Sequence, residues 1–232
     1  MQLQIWSDYA CPYCYIGKRH LEAALAEFPH ADDVEIAYQA FELDRNASRE
    51  VVNTTQQRIE RKYAKSPQGA LNMIHQIMTM ARHAGLDMRY DTVRYTNTFD
   101  AHRLSLFAER RDLAKEVTEG LFHAYFTENR ALADHDVLLD VATQAGLDRA
   151  ETQQMLDSDA FSEDARAAEQ EAERRGIHGV PCFVFDDGTT FYGAQPKSAL
   201  LEALHANWEK QKSVPASPND AAVCGSHGCS VP

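Results

Sequence analysis

The sequence predicts an α/β fold in which a small sheet is interrupted by a large all-helical insertion. Three observations carry this reading. A strand–helix–strand pattern opens the chain, the middle shows only helical periodicity, and strand character returns late, in a hairpin followed by one more helix.

Residues 2–7, QLQIWS, alternate Leu3, Ile5 and Ser7 against Gln2, Gln4 and Trp6, the period of a first strand. The stretch DYACPYCY follows. Beyond it Ile16, Leu21, Ala24, Leu25 and Phe28 recur at helical spacing, and Pro29 closes that helix. Residues 34–41, VEIAYQAF, alternate again and complete a βαβ unit with parallel strands. Ser66-Pro67 marks a helix start, with Leu71, Ile74, Met78 and Ala81 on one face and Gly85 as C-cap. One long helical pattern runs from Thr98 to Phe126, then shorter ones over 134–145, 149–156 and 162–175. Residues 182–186, CFVFD, and 189–192, TTFY, flank Asp187-Gly188, a strong hairpin signal. A last helix is expected over 196–210, and a Pro-, Ser- and Gly-rich tail ends the chain.

The 232 residues, 44% of them hydrophobic, suffice for one sizeable core or a core with an inserted subdomain. The net charge of -12 argues against binding to nucleic acid or an anionic membrane, which needs clustered Lys and Arg. No apolar run reaches the roughly 18 residues of a membrane span. The opening MQLQIW lacks the features of a secretory signal, so a cytoplasmic location is expected. There, five cysteines read as redox or metal chemistry rather than a structural disulfide framework. Four form two pairs, Cys11 with Cys14 and Cys224 with Cys229, and Cys182 is left over.

Cys11 stands where a helix begins. Unpaired amides and the helix dipole favour negative charge there, so its thiol is expected to ionise below the free value and act as the nucleophile. Cys14, one turn on, can resolve a mixed disulfide. Pro12 suits the first helical turn, and Tyr13 is expected to project outward between the thiols. A zinc half-site is the competing reading of a lone C-x-x-C. The strand before it and the helix after it favour redox chemistry.

Val180-Pro181 stands immediately before the late strand, a position that suits a residue unable to donate to a ladder. Strand, CPYC at a helix start, helical insertion and GVP before a hairpin together resemble the DsbA-like branch of the thioredoxin superfamily, over residues 2 to about 210. The segments SDYACPYCYIGKRHLE, FELD, NTFDAHRL and GVP look most like its FrnE-type subgroup. The resemblance implies a thioredoxin-like fold with a large all-helical insertion. The thioredoxin-like part would comprise residues 1–48 and 176–212, the insertion 49–175, and a flexible tail 213–232. It implies that Pro181 is a cis-proline facing the CPYC pair and that the Val180 backbone pairs with extended substrate. It implies a thiol–disulfide oxidoreductase or protein disulfide isomerase acting on protein disulfides without a cofactor, with a thiol reductant as electron donor.

Cys182 departs from the family's usual apolar or hydroxyl residue after the cis-proline. It reads as a small buried strand residue before it reads as a third redox thiol. Cys224 and Cys229 enclose Gly225-Ser226-His227-Gly228, and three readings stay open: a second redox pair, a metal site with His227, or a passive clip. Asp8 is expected to cap the turn before Cys11. His102 and His123 are expected to be packed or surface histidines, and Met73, Met78, Met80 and Met88 mostly core. Two rival functions remain. One is a glutathione-dependent isomerase of the 2-hydroxychromene-2-carboxylate type, which usually has Ser at the nucleophile position. The other is a zinc-holding peptide chaperone.

Overall fold

The structure, a computed structural model, describes residues 1–213. Among them four strands form one sheet in the order β2-β1-β3-β4. β1 (Gln2–Ser7) and β2 (Glu35–Ala40) run parallel, joined by α1 (Pro12–Leu25). β3 (Cys182–Phe185) pairs antiparallel with β1, placing Cys182 opposite Trp6, and β4 (Thr190–Tyr192) returns through the expected hairpin. Gly188 takes a left-handed φ of 86° in that turn, a conformation a side chain would resist.

Between β2 and β3 lie α2 (Thr55–Tyr63), α3 (Pro67–His83), α4 (Phe99–Glu109), α5 (Ala114–Phe126), α6 (His135–Gln144), α7 (Arg149–Leu156) and α8 (Ser162–Arg174); α9 (Lys197–Ser213) follows β4. No helix among the described residues is long and apolar enough to cross a membrane.

The sheet is covered on both faces. Leu3, Ile5, Phe183 and Phe185 pack with Leu21 and Ala24 of α1 and Leu200 and Leu204 of α9. Each of the buried Leu, Ile and Phe side chains contributes roughly 1.5–3 kcal/mol. On the other face Trp6, Cys182 and Val184 meet Ala172 of α8 and Ile177 beyond it, and the Trp6 indole donates to the Ala168 carbonyl at 3.1 Å. Thus α8, though it falls within the segment read as insertion, is the lid of the sheet's second face. The main helical core gathers Ile74, Leu104, Val117, Leu121, Phe122, Phe126 and Leu138, and α1 adds Tyr15 and Ile16 to it. One helix therefore serves two cores.

One sequence expectation needs correction, and one helix lies where no element was expected. The pattern from Thr98 to Phe126 is two helices, not one. The chain turns at Asp112, whose φ is 58°, and the Leu113 amide closes the end of α4 on the Ala108 carbonyl at 3.0 Å. The periodicity runs through because both helices bury their apolar faces in the same core. Also, α2 carries no recognisable apolar stripe: only Thr55 and Ile59 are buried. Its sequence signal is the cap, Thr54 and Gln57 bonding each other's backbone amides reciprocally.

Candidate active site

β1 ends at Ser7, and the chain turns through Asp8-Tyr9-Ala10, with the Cys11 amide donating to the Asp8 carbonyl at 3.0 Å. Cys11 is the N-cap of α1, in extended conformation, and Pro12 fills the first turn. The Cys11 thiol donates to the Val180 carbonyl at 3.6 Å. The Val180-Pro181 peptide is cis, and two segments 169 residues apart meet at the sulfur. Gly17 permits this approach: a Cβ there would lie 3.2 Å from both Pro181 Cγ and Phe183 Cζ.

Cys11 and Cys14 are both free thiols, 4% and 3% exposed. Burial pushes the Cys14 thiol well above its ordinary pKa. The Cys11 sulfur beside it pushes the same way, outweighing hydrogen bonds from Ser7 and the Asp8 backbone. Two thiolates cannot share this space, so Cys14 holds its proton. Cys11 opens on a small hollow of about 40 Å³ walled by Tyr13, Ile59, Tyr63, Met73 and Tyr90. Tyr13 does not project outward as expected; it packs, partly buried, into that wall and against the helical core.

Asp8 caps the turn before Cys11, as expected, and does more. It is 2% exposed and serves as an acceptor hub for the amides of Ala10 (3.1 Å) and Leu43 (2.7 Å) and for the Thr98 hydroxyl (2.9 Å). His102 Nε2, also buried, lies 3.7 Å from the same carboxylate. Burial works to raise the Asp8 pKa, but His102 and the two amides outweigh it and hold the carboxyl below its usual range. Tyr9 lies tilted against His102, ring centroids 5.0 Å apart, and its hydroxyl bonds Ser105.

Cys182 lies fully buried in β3, and burial pushes its thiol up to about 11. His123 is half exposed on α5, 3.6 Å from Glu128. Met88 is buried and Met73 and Met78 partly so, but Met80 is exposed. Cys224 and Cys229 lie outside the described residues. No group of three or more His, Cys, Asp or Glu side chains among the described residues is placed to hold a metal ion. The sequence reading passed over Arg58, Lys62 and Tyr63, all on α2, although they line the space in front of Cys11.

This geometry has relatives. The family model described as a DSBA-like thioredoxin domain matches residues 2–205. A probable DsbA oxidoreductase from Streptomyces coelicolor is 35% identical, covering 100% of this chain and 99% of that one, with a TM-score of 0.89. A 2-hydroxychromene-2-carboxylate isomerase shares the fold at 17% identity, covering 94% of this chain and 100% of that one, with a TM-score of 0.68. So does the cytosolic disulfide reductase DsbM from Pseudomonas aeruginosa, at 19% identity, 91% and 98% coverage and a TM-score of 0.60; DsbM has also been solved with GSH. With its thioredoxin-like sheet and helical insertion, the chain belongs to the DSBA-like thioredoxin domain family.

Proposed function

We propose that the protein is a thiol–disulfide oxidoreductase working through Cys11 and Cys14, within the FrnE-type subgroup and in the cytoplasm. The observation that carries this is the asymmetry of the pair. Cys11 faces a hollow and contacts the Val180 carbonyl, whereas Cys14 lies behind it with its proton held by burial. In the reductive direction the Cys11 thiolate attacks one sulfur of a substrate disulfide. A Cys11–substrate disulfide forms and the other substrate thiolate leaves. Cys14 then attacks the Cys11 sulfur, giving up its proton to the departing thiolate. The substrate gains two electrons and the protein ends as the Cys11–Cys14 disulfide. A thiol reductant restores it, and Cys224 with Cys229 would be a second pair in that relay. The Val180 backbone edge suits extended peptide, and Cys rather than Ser at position 11 favours this reading over the isomerase one.

The test is a pair of substitutions assayed for insulin disulfide reduction. Cys11→Ser should abolish turnover, and Cys14→Ser should accumulate mixed disulfides on Cys11 visible by mass spectrometry. Equal residual turnover in both variants would contradict the assigned roles.

A further inference from the structure

The chain is strongly acidic, at -12, and many of its cations are neutralised: buried Lys18 and Arg103, part-buried Arg130 and exposed Arg45 and Arg49 all pair with carboxylates. The wall of α2 beside Cys11 is different. The Arg58 guanidinium lies over the Tyr95 ring at 4.1 Å and donates to the Tyr90 hydroxyl at 3.2 Å. Arg61 bonds the Asn53 side-chain oxygen, and Lys62 lies 5.8 Å over the Tyr63 ring. None of these partners is an anion, and Arg58 Nε is buried with no hydrogen-bond partner. Arg58 and Lys62 line both the hollow at Cys11 and an adjoining cleft of about 570 Å³, which Arg61 also lines. Asp44 is the one carboxylate on that cleft's lining, against these three cations. A cavity of this size takes a small molecule or a few residues of a peptide.

We propose that this wall selects substrates carrying a carboxylate beside their reactive cysteine, with Arg58 receiving it. The inference rests on the redox reading above and names the substrate chemistry of that same site. The carboxylate binds and does not react; the exchange at Cys11 proceeds with the electron balance already given. Two sources supply this chemistry, a free low-mass thiol bearing carboxylates or an acidic side chain flanking a cysteine in a polypeptide. Against a chain that otherwise repels anions, two cations on the hollow at Cys11 and a third on the adjoining cleft make a local attractive field.

The experiment uses full-length reduced protein and end-blocked tripeptide disulfides with Glu, Gln or Lys before the cysteine, with glutathione disulfide as a separate arm. The rate of Cys11–Cys14 oxidation is read by acid quench and mass spectrometry. The Glu disulfide should react about tenfold faster than the Gln one, the scale of one charge-assisted hydrogen bond, and the Lys disulfide should be slowest. The gap should shrink with added salt. It should collapse in Arg58→Gln, persist in Arg58→Lys, and narrow in Lys62→Gln. Each variant's Glu-to-Gln ratio is its own control for folding. Equal rates for Glu and Gln in the unmodified protein, or a gap that survives Arg58→Gln, would overturn the proposal. Failure of every disulfide to oxidise the pair would instead overturn the redox reading itself, and this inference with it. With the Glu preference in place, glutathione disulfide outrunning the Glu peptide identifies the free thiol as the source; the reverse order identifies polypeptide.

Discussion

Replacing Asp8 with Ala should be among the costliest single changes near the site. The carboxylate is 2% exposed and accepts from the Ala10 amide, the Leu43 amide and the Thr98 hydroxyl. The hydroxyl can turn to another acceptor; the two amides cannot. Each orphaned buried donor costs about 1–3 kcal/mol, and the buried His102 loses the charge that faces it, so Asp8→Ala should cost about 3–5 kcal/mol. With a urea slope of about 3 kcal/mol/M, that is a fall of roughly 1–2 M in the unfolding midpoint. The sign with pH follows from the depressed pKa. As pH falls, the unfolded chain takes up the proton first, so the stability Asp8 supplies is present above its unfolded pKa and is lost as pH drops through the lower folded value. The gap between the unmodified protein and Asp8→Asn should therefore be full at neutral pH and close progressively below about pH 4. A cost under about 1 kcal/mol for Asp8→Ala, or an Asn gap unchanged into acid, would refute the assignment of Asp8 as a charged acceptor hub.

Other sites give sharper yes-or-no tests. Cys182, with its thiol pushed up to about 11, should be roughly 0.1% thiolate at pH 8 and resist iodoacetamide in the native protein. Cys182→Ala should keep insulin reduction intact, and a tenfold loss would make it a participant. Gly120→Ala puts a Cβ 2.8 Å from Val141 Cγ1. Overpacking should outweigh the gain in helix propensity and lower the melting temperature by about 2–4 °C, restored in part by adding Val141→Ala. Truncation after Lys212, which removes Cys224 and Cys229, should slow turnover while leaving the melting temperature nearly unchanged. The reverse pattern would make the tail a structural clip.

The parts of the fold legible in sequence are those where one physical signal acts alone. The alternation in β1, the Pro12 helix start and the Asp187-Gly188 hairpin are local, and each appears where the residues place it. Where tertiary contacts decide, the reading slipped. The α4–α5 break hides because Leu104, Phe107, Leu121 and Phe122 face one core across it. Helix α2 hides because its main work is polar, presenting Arg58 and Lys62 to the cleft rather than filling a core. Asp8 read as the cap of its own turn, and its bond to the Ala10 amide is that local part. Its further partners at Leu43 and Thr98 are 35 and 90 residues away, beyond the reach of any local rule.

Those distant partners explain why scattered motifs carried the resemblance. SDYACPYC, FELD and NTFDAHRL look like separate signatures in the sequence. In the fold they form one hydrogen-bonded unit. Asp8 of the first holds the Leu43 amide of the second and the Thr98 hydroxyl of the third, and Asn97 of the third donates to Glu42 of the second at 3.0 Å. Glu42 in turn meets Arg166 of α8 at 2.6 Å, and its amide bonds Glu169, tying the unit to the helix that covers the sheet. Each segment has the residue it has because the others supply its partner in a place water does not reach. The Cys11–Cys14 pair therefore rides on a hydrogen-bonded frame built from three parts of the chain. A change at Glu42 or Asn97, neither of which lines the hollow at Cys11, should loosen the turn that carries it. Glu42→Gln should slow thiol exchange and lower stability together, whereas a change confined to the α2 wall should alter which disulfides react and leave stability largely alone.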